Sequence, residues 1–304
     1  MDRSAVKISV CVVTYNQEKY IAECLQSIVD QETSFSFEVI VSDDGSKDKT
    51  REIILEYAEK YPHLIFPVLR AKNVGPFENY VDTHNLANGE YVAHIDGDDR
   101  MLPGKLEAQC QYLESDPFCT VVWHRMNVFN DSGGFYNGEN YKIGDFEKRN
   151  VTVEDALTIG AIGWHSSIMY RKKARTTRML CFPMLDTFYA IEFLFSGHGK
   201  YLMDVLGEYR VGSSSSISVK MESYIHQLYV QHWQYYLNLH PEKRKYIFIF
   251  ATLNFLIDVK NMRRSALSYL GLVLRSISIV TPQEVVWAYR TMRTFIIPKL
   301  PNVC

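Results

Sequence analysis

The sequence predicts an α/β fold: a mostly parallel central sheet carrying helices, followed by a helical C-terminal extension. Three observations predict it. Strand-like and helix-like segments alternate about four times between residues 7 and 95, the pattern of a sheet built from parallel crossover units. The residues that follow each strand-like run are polar and rich in carboxylates. The charge also divides, since residues 1–219 carry 22 basic and 31 acidic side chains while residues 220–304 carry 11 and 4, so the two regions meet different surroundings.

The elements follow in order. Residues 7–14 (KISVCVVT) are β-branched and nearly continuous in apolarity, as in a strand covered on both faces. Tyr20, Ile21, Cys24, Leu25 and Ile28 then recur at helical spacing within 17–31. The scheme repeats as strand 37–42, helix 48–60, strand 64–69, helix 77–86 and strand 91–95. A helix from Leu102 to about Ser115 and a strand over 119–128 come next. Residues 130–150, rich in glycine and asparagine, read as an irregular loop and a candidate lid over an acceptor. The serine-rich stretch 213–218 divides a main domain, 1–212, from an extension, 213–304. That extension reads as a helix over 222–239 and two apolar segments, 246–259 and 266–280, interrupted by charges. No apolar run reaches the ~18 residues of a membrane span. Basic residues beside aliphatic faces suit a helix lying in a membrane interface, and packing on the main core explains them equally well.

Composition narrows the function. An apolar fraction of 47% and a charged fraction of 22% describe a globular chain. The acidic first two thirds argue against nucleic acid as the ligand, because a phosphate backbone needs a basic face. Cys11, Cys24, Cys110, Cys119, Cys181 and Cys304 show no C-x-x-C spacing and read as buried thiols of a cytoplasmic protein. The first apolar run, about seven residues, is too short for a secretory signal and reads as the first strand.

In open parallel sheets, ligands sit beyond the carboxyl ends of the strands. Here those positions hold Thr14-Tyr15-Asn16, Asp43-Asp44-Gly45-Ser46, Lys72-Asn73 and Asp96-Gly97-Asp98-Asp99. At least two carboxylates of the last segment emerge together, and like charges that close repel unless a cation lies between them. Hard oxygen ligands suit Mg²⁺ or Mn²⁺, which bind substrate phosphates through one or two carboxylates. An isolated acidic cluster is more often a solvated turn. Its position after a buried strand, in a domain where an earlier strand also ends in paired carboxylates, favours the metal reading. For Asp43-Asp44 the bland alternative is acidic charge favouring the dipole of the following helix.

The run VVTYNQEKYIAECLQSI, then FEVIVSDDGSKDKT, then NVGPFENYVDTHNLANGEYVAHIDGDD resembles the family 2 glycosyltransferases in order, spacing and strand context. The resemblance covers roughly residues 5–212. It implies a GT-A (nucleotide-diphospho-sugar transferase) fold, an inverting mechanism, a nucleotide-sugar donor, usually of uridine, and Mn²⁺ or Mg²⁺ as cofactor. Carried over by position, Thr14, Tyr15 and Asn16 line the donor pocket, Asp43 bonds the base, and Asp44 and Asn73 shape that pocket. Asp96 and Asp98 match the DXD pair, with Asp98 the metal or diphosphate contact and Asp96 facing ribose, donor sugar or metal. Asp99 holds the loop or touches the donor sugar. Asp186, in PMLDTF, matches the acidic residue that serves as catalytic base, although an aspartate there also suits a plain helix cap.

The chain departs from that pattern in reading Tyr209-Arg210-Val211-Gly212 where relatives commonly have a histidine after the valine. Arg210 then stands as the source of positive charge near the diphosphate. It also has Glu78 before Asn79, where arginine is common. Trp164 and His165 are candidates for the acceptor side, the tryptophan by stacking on a sugar, though either can be a core residue. Lys105, in the helix after Pro103, reads as a surface residue.

Three functional classes remain to be weighed. The first is an inverting glycosyltransferase acting on a glycan or lipid-linked glycan of surface polysaccharide, of O-antigen or capsule type, at the inner face of a membrane. A nucleotidyltransferase would need a glycine-rich phosphate loop after the first strand, and residues 14–18 offer none. A non-catalytic binding module of the same fold is opposed by the carboxylates at 43, 44, 96, 98, 99 and 186.

Overall fold

The structure, a computed structural model, describes residues 6–131, 135–136, 144–176, 180–212 and 222–294. A run of parallel strands forms its first half: β1 (Ile8–Thr14), β2 (Phe37–Asp43), β3 (Ile65–Leu69) and β4 (Tyr91–Asp96). Helices α1 (Ile21–Val29), α2 (Thr50–Lys60) and α3 (Pro76–Asn85) make the crossovers. The alternation that predicts strands also sorts the core. Ile8, Val10 and Val12 of β1 join a buried cluster with Leu25, Ile54, Leu106 and Leu113, whereas Cys11 joins the cluster on the other face.

Beyond β4 the sheet turns mixed. After β5 (Arg100–Met101) and α4 (Lys105–Ser115) come β6 (Cys119–Phe129), β7 (Phe135–Tyr136), α5 (Val153–Ile159), β8 (Met169–Arg171), α6 (Asp186–Phe195) and β9 (His198–Arg210). The sheet order is β3-β2-β1-β4-β8-β6-β9-β5, with β7 on β6. The β4–β8, β8–β6 and β9–β5 pairings are antiparallel, and β6–β9 is parallel. Parallel pairing thus governs the first four strands and gives way beyond them. α6 packs on β6 and β9, and its first residue, Asp186, is near enough to the acidic turn that both His165 and Tyr209 feel its charge.

The C-terminal helices α7 (Glu222–Leu239), α8 (Arg244–Lys260), α9 (Ala266–Ser276) and α10 (Pro282–Thr294) continue the second cluster instead of forming a core of their own. Trp233 is fully buried and donates its indole N–H to the Leu157 carbonyl (2.8 Å), and the Tyr236 hydroxyl reaches the Phe188 carbonyl (3.2 Å). An aromatic side chain buried with its polar atom satisfied ties two elements strongly. No helix among the described residues is long and apolar enough to cross a membrane. Cys11, Cys24, Cys110 and Cys119 are buried as expected, but Cys181 is exposed. The serine-rich boundary, and residues 132–134 and 137–143 of the 130–150 loop read as a lid, lie outside the described residues.

Candidate active site

Strand register gathers the site. Thr14 pairs with Asp43 and Val13 with Asp96, so β2, β1 and β4 finish at one level, neighbouring strands lying about 4.8 Å apart. Two glycines let the following loops close on one another. A side chain at Gly45, whose φ is +73°, would place its Cβ 2.8 Å from the Asn73 amide nitrogen, and one at Gly97 would come 2.6 Å from Gln17 Oε1. The Gly97 amide donates to the Val13 carbonyl (2.9 Å), which lays the acidic turn against β1.

Asp43 and Asp44 serve this closure rather than project into the cleft. Asp43 is fully buried; its carboxylate accepts from the Ser46 amide (3.2 Å) and lies 3.6 Å from Arg51 Nε. Asp44 accepts from the Val74 and Gly75 amides (2.8 and 2.9 Å), and burial pushes its pKa up against those two bonds. Thr14 is likewise buried, its hydroxyl donating to Gln17 (2.7 Å). Of the residues expected to line the donor pocket, Tyr15, Asn16 and Asn73 are exposed. Asn79, whose role the sequence left open, is buried and accepts from Ser42 and Arg70.

The Asp96–Asp99 turn is fastened from two sides. On one, the Asp96 amide donates to the Ser166 hydroxyl (2.9 Å), and Lys105 Nζ donates to the Ser166 carbonyl (2.7 Å). Lys105 is 1% exposed, so the surface reading is corrected: burial pushes its pKa down to about 7, against the pull of Asp99 and Cys24. On the other side, the Arg210 amide donates to Asp99 Oδ1 (2.8 Å) and its Nε to the Asp98 carbonyl (3.0 Å). The same guanidinium pairs with Glu23 and Asp131. Arg210 is 8% exposed, so it braces the loop and does not project as a free charge toward a diphosphate. Burial, then the charges of Asp98 and Asp96, push the Asp99 carboxyl well up, which marks it as a buried part of the scaffold.

Among the described residues, Asp96, His94 and His165 offer ligand atoms within 4.8 Å of one another. Asp98 is outside that group. Burial pulls the Asp96 pKa up, yet His165 and His94 outweigh it and hold the carboxyl below the usual carboxylate range. His165 Nδ1 lies 3.8 Å from Asp96 Oδ2, and its ring packs on His94 at 3.8 Å. Burial lowers the His165 pKa, but Asp96 and then Asp186 more than reverse this. His165 thus sits with the acidic turn, nearer the donor side than expected. Trp164 has one face stacked on Tyr209 (4.5 Å), which leaves at most the other for a sugar.

Asp186 is the first residue of α6, exposed, and accepts from the Thr187 amide (2.8 Å). The helix is capped by Leu185 in extended backbone, so Asp186 is not the cap residue. Burial, followed by the charges of Asp99, Asp96, Asp98 and Asp186, pushes the Tyr209 phenol up. One ring therefore feels all four carboxylates. Sequence reading missed Ser166 and His94. The second carried a signal, since His94 stands two residues before Asp96 and shares its strand face.

The sequence model described as Glycosyl transferase family 2 matches residues 9–177. An uncharacterized protein of Mycobacterium tuberculosis is 38% identical over 171 residues, 55% of this chain and 47% of that protein. An abequosyltransferase of Salmonella typhimurium is 35% identical over 183 residues, 55% of this chain and 53% of its own length. The chain thus spans about half the length of these relatives. Among solved structures, Staphylococcus aureus TarS 1–349 in complex with UDP superposes with a TM-score of 0.63 at 20% identity, covering 95% of this chain and 89% of that one. A mannosyltransferase of Pyrobaculum calidifontis with GDP-Man and Mn²⁺ gives 0.55 at 17% identity, covering 94% and 87%. These neighbours agree with the GT-A fold.

Proposed function

The chain belongs to glycosyl transferase family 2, and on that premise we propose that it is an inverting glycosyltransferase moving a sugar from a nucleoside-diphosphate donor to a glycan or lipid-linked glycan hydroxyl. The observation that carries this reading is the shared level of Thr14, Asp43 and Asp96 on adjacent strands, with Asp186 near the acidic turn. Tyr15, Asn16 and Asn73 form the accessible wall for the nucleoside, and Asp43 and Asp44 hold that wall from below. UDP is the nucleotide we assign, the TarS fold having been solved with UDP and with UDP-GlcNAc.

The carboxylates of the acidic turn are hard oxygen donors of the kind that suit Mn²⁺ or Mg²⁺. Asp98 and Asp96 would hold it, with His165 beside them, and the ion would draw off charge from the departing diphosphate. Asp186 takes the proton of the acceptor hydroxyl. That oxygen bonds the anomeric carbon from the face opposite the diphosphate, whose C–O bond breaks with the electron pair leaving on the phosphate. Arg210, Lys105 and Ser166 act earlier, by holding the acidic turn in place before substrate arrives.

A membrane surface is the setting we assign to the acceptor. The specific observation is the outer face of α8 and α9, where Leu256, Val259, Met262 and Leu267 are exposed beside Lys260 and Arg264. It fits an acceptor of surface polysaccharide assembly carried on lipid at the inner leaflet. The test of the enzyme reading is a panel of nucleotide sugars with Mn²⁺ or Mg²⁺, scored for nucleoside diphosphate release and for thermal stabilisation. UDP-sugars should give both. A panel in which no member does either removes the transferase reading and leaves a binding module of the same fold.

A further inference from the structure

A chain of buried side chains runs beneath the acidic turn. The Tyr170 hydroxyl lies 2.8 Å from His84 Nδ1, His84 Nε2 lies 3.0 Å from His94 Nδ1, and His94 Nε2 lies 3.1 Å from Asp96 Oδ1. The fold dictates this line. Val92, His94 and Asp96 share one face of β4 by strand alternation, and Tyr170 pairs directly with Val92 across the antiparallel β4–β8 ladder. His84, in the last turn of α3, bridges them. Tyr170, His84 and His94 are all buried.

The chemistry of one end sets every proton. An ionised carboxylate only accepts, so His94 Nε2 carries the hydrogen. Both rings are buried, where an uncharged ring costs least, and a neutral ring has one donor and one acceptor. His94 Nδ1 therefore accepts from His84 Nε2–H, and His84 Nδ1 accepts from the tyrosine O–H. All four nitrogens are occupied by these bonds. His94 is accordingly unavailable as a metal ligand, although its position beside Asp96 and His165 suggests one.

We infer that Tyr170, His84 and His94 are positioning residues that hold Asp96 Oδ1 from behind and leave Oδ2, on the His165 side, for the donor or its cation. The last clause rests on the function proposed above; the direction of the hydrogen bonds does not. A neutral, single-tautomer chain adds no charge to a site that must receive a pyrophosphate. It also fixes the carboxylate's rotation, as partners behind a ligand commonly do, with costs of ~10- to 100-fold in metal affinity or activity when removed.

Two measurements on the full chain test it. Histidine ¹⁵N–¹H correlation spectra at neutral pH should show His84 and His94 each as the neutral Nε2–H tautomer; an Nδ1–H tautomer or an imidazolium at either ring overturns the inference, whatever the enzyme does. In titrations with Mn²⁺ followed by paramagnetic resonance, His94→Phe should weaken binding ~10- to 100-fold. His94→Gln, whose amide N–H can occupy the Nε2 position, should stay within about threefold, and Tyr170→Phe should fall between. Wild-type-like Mn²⁺ binding by well-folded His94→Phe, or equal losses in the Phe and Gln variants, refutes positioning. Should the spectra match while no nucleotide sugar is turned over, the enzyme reading fails and the hydrogen-bond chain stands.

Discussion

The acidic turn and the start of α6 carry carboxylates assigned to the same reaction, yet they are held in opposite ways. Asp96–Asp99 is tied by Ser166, Lys105, Arg210 and His94, most of them buried. Asp186 is exposed and accepts from the amide of its neighbour Thr187. A group that must meet a diphosphate gains from preorganisation, because fixed charges need no rearrangement during reaction. A base that must meet varied hydroxyls gains from access. On the proposed reading, the donor half is thus built in advance and the acceptor half is left open.

The strongest way to break this comparison is to remove one carboxylate from each half. Asp98→Ala should abolish stabilisation by the donor and lower turnover by at least about 10³-fold, the several kcal/mol that charge neutralisation at the leaving group supplies. Asp186→Asn should lower transfer by about 10²- to 10⁴-fold while donor affinity, measured by calorimetry, stays within twofold. Normal transfer by Asp186→Asn would assign the base elsewhere.

How much of this was legible follows the same division. β1, β2 and β4 announce themselves through β-branched apolar runs, and β2 and β4 end in carboxylates, so the acidic edge of the sheet could be located in the sequence. The direction in which Asp43 and Asp44 point could not. That depends on the 70–75 loop, which reaches back to Asp44 from thirty residues away in sequence. Burial of Lys105 was equally hidden, because its partner Ser166 lies in a different part of the chain. β9 escaped because Gly199, Asp204 and Gly207 interrupt its alternation; it is held in place by a long parallel ladder with β6. Asp186 was assigned by its motif alone.

Acid offers a smaller perturbation, which can be read in the open half at His232. His232 accepts the Leu185 amide at Nε2 (3.4 Å) and donates from Nδ1 to the Leu228 carbonyl (2.6 Å), so α7 holds the residue just before Asp186. Burial, against the Leu228 bond and the Asp186 charge, lowers its pKa to about 4 from 6.5. Between those values the unfolded chain binds the extra proton, so stability is complete above pH 6.5 and declines as pH falls toward 4. Integrated, the loss is about 3 kcal/mol. Denaturant titrations of wild type and His232→Gln across that range would read it. Equal pH slopes for the two would show that His232 carries no such linkage.

Within the prebuilt half, Gly97→Ala probes how tightly the turn is set. Its new methyl would meet Gln17 Oε1 at 2.6 Å and Thr14 Cβ at 2.8 Å, and overpacking of this kind costs about 1–3 kcal/mol. The expected result is a lower melting temperature together with weaker donor binding. A variant as stable as wild type, with donor binding unchanged, would mean that the turn yields easily and that its fastening is less rigid than the bonds imply.

The smallest effect on stability should come from the outer face of α8 and α9, which takes no part in either half of the site. Met262, at a left-handed φ of +53°, is 92% exposed and Leu267 is 76% exposed, so changing both to Ser should move stability by no more than about 0.5 kcal/mol. Vesicle binding is another matter. Each basic residue near an anionic surface contributes about 1 kcal/mol, and apolar side chains add to this when they enter the interface. Lys260 and Arg264 flank Met262, and Leu267 follows three residues on, so full-length protein should float with phosphatidylglycerol vesicles and far less with phosphatidylcholine ones. The double variant should lose at least about tenfold in vesicle affinity, at unchanged melting temperature and unchanged donor hydrolysis. If it floats as wild type does, this face meets water, and the open half of the site receives its acceptor from solution.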